Sequence, residues 1–435
     1  MESIIEQLIA NFHERPLPPL TRRHVRLPWL PGKVDTVVGM RRSGKTWFLY
    51  QVISELISKG IPKESILYLN LEDERLLPIR ASDLHLIPDI YFRRYPGLKD
   101  QPCTFLFDEI QNVPGWEVFV RRLLDSENVH ICLTGSSARL LSREIATSLR
   151  GRSIATEIFP FSFMEALQHQ GITVEKGRRP GAKTRAYIEN RFRAYLLQGG
   201  FPEVQDLEDE YRVRILQDYL NVVVLRDVIE RYGISNTVAL RYLIRHFMNS
   251  PAALFSVNKF FNDLKSQGIS CGKNTLHEYL DYVSDAYLVF QVFLHTESER
   301  ARMVNPRKIY VIDTGLINAC SRSPRPEWGH LLENFVFMEL RRSYQTIEYY
   351  KTTREREVDF LVTDIQGRRA LIQVAAEIAR PLTRQRELEG IEEAMKETGI
   401  NNAVIITLNH EEDVETEAGS IKILPAWLWG ISGLI

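Results

Sequence analysis

The residues whose types and spacing most clearly suggest chemistry lie in the segment VDTVVGMRRSGKTWFLYQVI. It contains the pattern GxxxxGK[ST], which is typical of a phosphate-binding loop between a strand and a helix. Gly39 and Gly44 let the backbone curl so that successive N–H groups face phosphate oxygens, and the following helix adds the positive end of its dipole. We expect Lys45 to reach the β- and γ-phosphates of ATP and Thr46 to give its hydroxyl to Mg²⁺. The predicted nucleotide-binding residues are Gly39, Met40, Arg41, Arg42, Ser43, Gly44, Lys45 and Thr46.

Two consecutive acids follow the apolar run CTFLF, at Asp108 and Glu109. Both carboxylates would emerge at the C-terminal end of a buried strand, which is where α/β sheets bind ligands. In that position Asp108 would hold the Mg²⁺ ion and Glu109 would polarise the attacking water. The alternative is that these acids only cap a helix.

A further apolar run, VHICLTGSS, ends in polar residues, and Ser136 or Ser137 would sense the γ-phosphate from the neighbouring strand. A helix N-cap before ARLL is the competing interpretation. In the segment SLRGR, Arg150 and Arg152 are candidate arginine fingers, since a guanidinium fork suits the charge that develops on a transferring phosphoryl group. They are equally compatible with surface arginines.

The elements that must position these residues lie between residues 35 and 159, where the runs DTVVG, ILYLNLE, CTFLFDE, VHICLTG and SIATEIF alternate with helical patterns. Continuous apolar strands indicate burial on both faces, as in a parallel sheet flanked by helices. We therefore predict an α/β domain of the P-loop NTPase class over residues 1–170, with its sheet core at about 34–160. Residues 171–185 collect Gly, Pro and basic residues and read as a loop or linker.

The rest of the chain divides into two further predicted domains. Long helical patterns such as YRVRILQDYLNVVVLRDVIERY indicate a helical domain over residues 186–325. From residue 326 to 435 the order is one helix, three strands, a charged helix and two more strands, which predicts a second α/β domain with different connections.

Length and composition are those of a multi-domain globular protein. The 435 residues suggest roughly three domains. Lys and Arg total 55 against 56 Asp and Glu, which argues against a generally basic nucleic-acid binder while leaving room for a local basic face. No run approaches the length of a membrane span, and the acidic N-terminus is unlike a signal peptide, so we expect a cytoplasmic protein with no membrane partner. Four separated cysteines without a CxxC pair suggest reduced thiols.

With these motifs in place, the chain resembles a prokaryotic AAA+-like ATPase family of additional-strand P-loop architecture, whose members carry a C-terminal domain related to PD-(D/E)XK nucleases. The resemblance implies Mg²⁺-dependent ATP hydrolysis with Glu109 in the role described above. It spans nearly the whole chain. The matching phrases are GMRRSGKT, YLNLEDERL, FLFDEIQNVPGWE, LTGSSARLLSREIATSLRGR, GGFPEV, KIYVIDTGL, LLENFVFMELRR and EVDFLV.

Residues 254–312 show a helix, a Gly-containing turn, a second helix and two strands joined by a charged loop, which is a winged-helix outline. In such a module the second helix enters the major groove of double-stranded DNA and the wing contacts phosphate. A module used only for packing or protein contact is the alternative, because Glu278, Asp281 and Asp285 would repel phosphate. The predicted DNA contacts are Lys273, Asn274, Thr275, His277, Arg300, Arg302 and Arg307.

The C-terminal order of elements resembles the nuclease core, but its catalytic pattern is incomplete. Glu333 in LLEN and Asp359 in EVDF match two acidic positions, and the pair suggests a weak second metal site. On the third strand, LIQVAAE places Gln373 at the position of the acid and Ala375 at that of the lysine. We predict that hydrolysis of nucleic acid is lost, because the charges that support catalysis are missing.

Three functions follow from these readings. The first is an ATPase that couples hydrolysis to action on DNA or on a DNA-associated partner. The second is a nucleotide-gated scaffold that binds another protein or self-associates. The third is an ATP-regulated nuclease, which would need Lys351 or Glu377 to replace the groups missing from the third strand.

Overall fold

The structure is a computed structural model of the chain and describes residues 1–135, 149, 151–174, 179–322 and 326–432. The chain divides into two compact units. The first comprises Met1–Phe159 and Asp285–Tyr287, and the second comprises Pro160–Ser284 and Leu288–Ile435.

The first unit is built on a five-stranded, all-parallel sheet with the strand order β2-β3-β4-β1-β5. All five runs expected to be strands form them. Two polar strand ends lie side by side, because Asn70 of β2 is in register with Asp108 of β3. A parallel sheet brings the carboxyl ends of its strands to one edge, which is where the site lies. The strands are β1 Val34–Val38, β2 Ile66–Asn70, β3 Cys103–Asp108, β4 Val129–Gly135 and β5 Ser153–Glu157.

Helices cover this sheet through apolar faces with helical spacing. Phe48, Val52 and Leu56 of the helix after β1 fall on one face and pack into the core with Val37 and Leu106 of the sheet. Among the described residues of this unit, the helices are α1 Glu2–Glu14, α2 Lys45–Ser58, α3 Leu86–Arg94 and α4 Trp116–Ser126. Short 3₁₀ turns lie at Lys63–Ser65, Glu74–Leu76, Ala81–Asp83, Pro96–Leu98 and Ile110–Asn112.

The second unit begins with a largely helical region. Its helices are α5 Phe163–His169, α6 Ala182–Gln198, α7 Asp209–Val222, α8 Thr237–Asn249, α9 Val257–Ser266, α10 Lys273–Asp285, α11 Glu299–Val304, α12 Thr314–Cys320, α13 Trp328–Arg341, α14 Pro381–Thr398 and α15 Ala426–Ser432. A π-helical stretch, Val223–Glu230, extends α7, and a 3₁₀ turn lies at Pro202–Val204. Within the described ranges of the chain, no helix is long and apolar enough to cross a membrane.

A mixed nine-stranded sheet forms the core of this unit, in the order β13-β14-β12-β11-β10-β9-β7-β8-β6. It includes strands from both sides of residue 326, where a domain boundary was expected. The strands are β6 Leu254–Phe255, β7 Val289–Leu294, β8 Arg307–Val311, β9 Thr346–Lys351, β10 Glu357–Thr363, β11 Arg369–Val374, β12 Asn402–Thr407, β13 Glu412–Thr416 and β14 Gly419–Pro425.

The segment expected to form a winged helix has the predicted order of elements, α9, α10, β7 and β8. Its two strands are antiparallel, and α11 lies between them in sequence. They are not a free hairpin, because β7 pairs with β9 on its other side, through Phe293 and Glu348. The wing is thus part of the large sheet.

The phrase GGFPEV belongs to a tightly packed junction in the second unit. A Cβ atom on Gly200 would lie 2.2 Å from the carbonyl oxygen of Phe161, and one on Gly315 would lie 2.1 Å from that of Gln198. The N–H of Gly200 donates to the buried Asp313 carboxylate at 2.6 Å. Burial raises the pKa of Asp313 to about 6, although backbone N–H groups oppose this shift. These glycines allow close backbone approach, and they lie in a packing junction.

Candidate functional site

The loop between β1 and α2 has the conformation that its glycines predicted. Gly39 has φ 153° and Gly44 has φ 97°, values that favour glycine. A Cβ atom on Gly39 would lie 2.2 Å from the carbonyl oxygen of Ile158, so no larger residue fits. Of the two arginines in the loop, Arg41 is half-buried and Arg42 is exposed with φ 65°.

Lys45 and Ser43 point their polar atoms into this loop. The Lys45 side chain is 5% exposed, and its Nζ donates to the carbonyl oxygens of Gly39 and Met40 at 3.2 and 3.1 Å. Ser43 is fully buried, and its hydroxyl makes no hydrogen bond to the described residues. A buried ammonium and a buried hydroxyl that makes no hydrogen bond to the described residues fit a phosphate group, which accepts hydrogen bonds from both.

The two acids after β3 are linked by Thr134 of β4. The Thr134 hydroxyl donates to Oδ1 of Asp108 and accepts the N–H of Glu109 at 2.9 Å. Tyr68 of β2 donates to Oδ2 of Asp108 at 3.0 Å. Thr134 is fully buried, so its hydroxyl fixes the two acids relative to each other.

Asp108 is fully buried, and burial raises the pKa of its carboxyl group. Hydrogen bonds from Thr134, Thr46 and Tyr68 oppose that shift by favouring the carboxylate. The bond from Thr46 ties Asp108 to the start of α2. Asp108 and Thr46 are therefore the side chains that would hold Mg²⁺, since both offer oxygen ligands to this hard cation.

Glu109 lies just beyond the end of β3 and is partly exposed. Its backbone has φ 54°, a left-handed value that is uncommon for a residue with a side chain. Gln111 Nε2 donates to its Oε2 at 2.5 Å, while Thr134 holds its N–H. Backbone and side chain are therefore both positioned, as expected of a group that orients a water molecule.

Sequence reasoning missed Arg23, which supports the loop from behind. This arginine precedes β1 and is only 5% exposed. Its guanidinium donates to the carbonyl oxygen of Ser43 at 3.0 Å and to that of Phe159, while its backbone N–H donates to Oε1 of Gln51 at 2.6 Å. No local motif signals this role, because the contacts are 20 to 136 residues apart. Tyr68 and Thr134 were also missed, although a threonine at the end of a buried strand was a visible signal.

The proposed sensor and one proposed finger, Ser136 and Arg150, lie outside the described residues. Arg152 is exposed and pairs with Asp125 at 2.5 Å. It precedes the first residue of β5, and its carbonyl accepts the N–H of Val34 at the start of β1. The phosphate-binding loop follows the far end of β1, about 16 Å away by strand length. Arg152 is thus remote from the loop of its own chain.

Among the predicted DNA contacts, those on α10 and those beyond it differ in accessibility. Lys273, Asn274 and His277 are exposed in the first turns of α10, Thr275 is half-buried, and Arg300 is exposed. The other two arginines are engaged inside the second unit. These two are Arg302 and Arg307.

The partners of these two arginines account for their orientation. Arg302 pairs with Glu348 at 2.7 Å and lies over the ring of Phe293. Arg307 is 7% exposed, donates to Oε1 of Gln291 at 2.6 Å and lies over the same ring. Both arginines thus have partners within the second unit, and their contact with phosphate stays a prediction.

The pair Glu333 and Asp359 does come together, but around an ammonium group. Lys308 of β8 donates to Glu333 at 2.8 Å and to Asp359 at 2.7 Å. In the described part of the chain, no group of three or more His, Cys, Asp or Glu side chains is placed to hold a metal ion. The two carboxylates that were expected to form a weak second metal site thus have a lysine ammonium between them, in the place that a metal ion would take. Burial and the Asp359 charge raise the pKa of Glu333 to about 7.

The residues considered as replacements for the missing lysine and acid form ion pairs of their own. Lys351 pairs with Glu355 at 3.5 Å, and Glu377 pairs with Arg380 at 3.7 Å. The side-chain carbonyl oxygen of Gln373 accepts the N–H of Asp359 at 3.0 Å.

Comparisons with known proteins indicate the class of the first domain. Residues 32–167 match a family model described as "AAA domain". The parallel sheet, the loop and this match define a chain with an AAA-like P-loop ATPase domain. Residues 189–327 and 328–429 match two models that are each described as a domain of unknown function. These descriptions mention neither a winged helix nor a nuclease, so both stay predictions.

An uncharacterized protein of Methanocaldococcus jannaschii is 36% identical to this chain, over 98% of this chain and 95% of its own length. The chain belongs to the family of that protein. An uncharacterized protein of Haemophilus influenzae is 28% identical over 91% of this chain and 94% of its own length.

Solved structures give weaker likenesses. A Walker-type ATPase of Pyrococcus abyssi is 16% identical, covers 70% of this chain and 99% of its own, and has a TM-score of 0.43. The Orc1 protein of Aeropyrum pernix, solved in complex with DNA, is 12% identical, covers 74% and 91%, and has a TM-score of 0.30. Scores this low support no conclusion about this chain.

Proposed function

We propose that this chain binds Mg-ATP in the loop of residues 39–46 and hydrolyses it. The observation that carries the proposal is the linkage of Asp108 and Glu109 by Thr134, with Asp108 joined to the loop through Thr46. Such a network holds a metal-binding carboxylate and a water-orienting carboxylate in fixed positions next to a phosphate-binding loop.

Each side chain has a distinct role in this proposal. Lys45 binds the β- and γ-phosphates, and Ser43 donates its unpartnered hydroxyl to a phosphate oxygen. Thr46 and Asp108 hold the metal ion. When bound, Mg²⁺ neutralises charge on the phosphates. Glu109 accepts a hydrogen bond from the attacking water and directs it to the γ-phosphorus.

The test compares three variants with the wild type in a thermal-shift and a turnover assay. Mg-ATP should raise the melting temperature of the wild type and of Glu109→Gln, because a ligand that binds the native state stabilises it. Lys45→Ala should lose that shift, whereas Lys59→Ala, at the exposed end of the same helix, should keep it. Glu109→Gln should bind ATP without turning it over. An undiminished shift in Lys45→Ala would refute the assignment.

Arginine fingers acting between subunits are part of the proposal. Because Arg152 lies at the edge of the sheet opposite its own loop, it would act on the ATP of a neighbouring copy. A mixture of Arg152→Ala and Lys45→Ala chains should then recover part of the turnover, since one intact site is rebuilt from two defective chains. No recovery, together with a monomer in sedimentation, would remove Arg152 from the catalytic site.

We further propose that hydrolysis is coupled to contact with DNA through α10. The support is the exposed cluster Lys273, Asn274 and His277 at the start of that helix. Double-stranded DNA should stimulate turnover, and its affinity should fall with salt because phosphate contacts release counterions. Lys273→Glu should weaken binding, whereas Lys59→Glu should not. Absence of stimulation would favour the nucleotide-gated protein scaffold.

A further inference from the structure

The Lys308 ammonium is the centre of a buried ionic cluster in the second unit. Its Nζ lies 2.8 Å from a Glu333 oxygen, 2.8 Å from a Glu357 oxygen and 2.7 Å from an Asp359 oxygen. The ammonium donates hydrogen bonds to Glu333 and Asp359 and forms an ion pair with Glu357. The Lys308 side chain is 3% exposed.

The position of Lys308 requires a specific shape of the sheet. Its strand, β8, is separated from β10, which carries Glu357 and Asp359, by β7 and β9. In a flat sheet three strand spacings would place them about 14 Å apart. The contacts at 2.7 and 2.8 Å therefore require the long Lys308 side chain to reach across the sheet and the sheet to be curved. A surface ion pair would not depend on the fold in this way.

Neighbouring groups fix the same cluster. Tyr310, two residues beyond Lys308 on β8, donates to the Glu333 oxygen at 2.8 Å, and its ring stacks on Phe337 with centroids 4.3 Å apart. The Asp359 carboxylate also accepts the N–H of Val374 at 2.8 Å. Specific hydrogen bonds and ring packing thus hold the cluster in place.

Lys308 remains charged in this environment. Burial alone would lower its pKa, but the nearby charges, with Asp359 contributing most, hold the pKa well above the usual lysine value. Three carboxylates facing one buried point would repel each other without a cation between them. The ammonium therefore supplies the positive charge that a metal ion supplies in other carboxylate clusters.

We propose that the Lys308 ammonium takes the place of a divalent cation at Glu333, Glu357 and Asp359, and that removing it creates a site for a hard divalent ion. Ca²⁺ binds carboxylate oxygens at about 2.3–2.6 Å, so the oxygens would need to move inward by only a few tenths of an ångström. Glu357 supplies the third carboxylate, which the amide of Gln373 does not. The acidic centre of the C-terminal region is then structural and independent of metal in the wild type.

The experiment measures Mn²⁺ binding to the full-length, nucleotide-free protein by the loss of the free-ion EPR signal. Lys308→Met should bind one Mn²⁺ per chain more than the wild type, and Mn²⁺ or Ca²⁺ should raise its melting temperature. Adding Asp359→Asn to Lys308→Met should abolish both effects. The matched control is Lys396→Met, because Lys396 is exposed and lies 2.9 and 3.2 Å from two glutamates, and it should gain no site.

Several results would overturn the proposal. One is a folded Lys308→Met variant that binds no more Mn²⁺ than the wild type. Another is a wild-type Mn²⁺ site that Asp359→Asn removes, because the lysine would then not exclude the ion. If Lys308→Met does not fold by itself, it is refolded with and without Ca²⁺ or Mn²⁺. Recovery in either ion supports the proposal, and failure in both rejects it.

Discussion

Replacing Thr134 by valine should uncouple ATP binding from hydrolysis. Valine has the shape of threonine, but it neither donates to Asp108 nor accepts the N–H of Glu109. Asp108 would retain its hydrogen bond from Tyr68 at 3.0 Å, so the metal-binding carboxylate stays in place. Glu109 would lose the contact that fixes its left-handed backbone.

The expected size of the effect follows from the two lost hydrogen bonds. A bond to a charged group contributes about 1.5–3 kcal/mol, and a neutral one about 1 kcal/mol. Of these two hydrogen bonds, only the one that positions Glu109 affects the chemical step. With a tenfold rate change for about 1.4 kcal/mol, we expect kcat to fall by about ten- to a hundredfold. The affinity for Mg-ATP should change by less than about tenfold, because Lys45 and Thr46 are untouched.

Steady-state turnover and nucleotide titration on the same preparations would separate these effects. Thr134→Ser is the matched control, because it keeps the hydroxyl and should keep most of the activity. If Thr134→Val hydrolyses ATP at the wild-type rate, the linkage between Asp108 and Glu109 is not what positions the attacking water. An equal loss in Thr134→Ser would show that the hydroxyl alone does not account for the effect, because serine keeps the hydroxyl and lacks only the methyl group.

Three further outcomes are expected. Arg23→Met should raise the KM for ATP and lower the melting temperature, because the carbonyl oxygens of Ser43 in the loop and of Phe159 beyond β5 each lose a donor; unchanged values for both would contradict this role. Between pH 4 and 6 the folded state holds a proton on Asp313, whereas the unfolded state, in which the pKa of this group is near 3.8, releases it. The free energy of unfolding should therefore fall by up to about 3 kcal/mol as the pH rises through this range. In urea titrations Asp313→Asn should show a smaller fall. We expect no cleavage of linear or supercoiled DNA in Mg²⁺ or Mn²⁺; cleavage that a Glu333→Ala, Asp359→Ala double variant lacks would disprove this.

The nucleotide site was predictable because its chemistry requires local spacing. Gly39, Gly44, Lys45 and Thr46 lie within eight residues, and the turn that they form needs glycine at two fixed positions. The strand before Asp108 was equally visible, since burial on both faces requires a continuous apolar run. Where chemistry and local backbone conformation coincide, sequence alone places the residue.

The residues that support the nucleotide site from distant parts of the sequence had no local pattern that would reveal them. Arg23 contacts the loop across 20 residues and the end of the sheet across 136, so only the folded chain shows their proximity. The edge strand Glu412–Thr416 was missed for a different reason. It alternates between exposed and partly buried polar residues, as is common for an edge strand that must not pair with another chain. Its apolar pattern was too weak to be seen.

The C-terminal region shows that the charges present at a site cannot be inferred from an incomplete motif alone. The third strand lacks the expected acid and lysine at Gln373 and Ala375, which suggests a site without those charges. In the structure Glu357 and Lys308 restore both charges from other strands. We do not expect their return to restore hydrolysis, because the Lys308 ammonium donates to Glu333 and Asp359, lies 2.8 Å from a Glu357 oxygen, and belongs to a side chain that is 3% exposed. An ammonium enclosed by carboxylates in this way is placed to hold them together and not to contact a nucleophile or a phosphate oxygen.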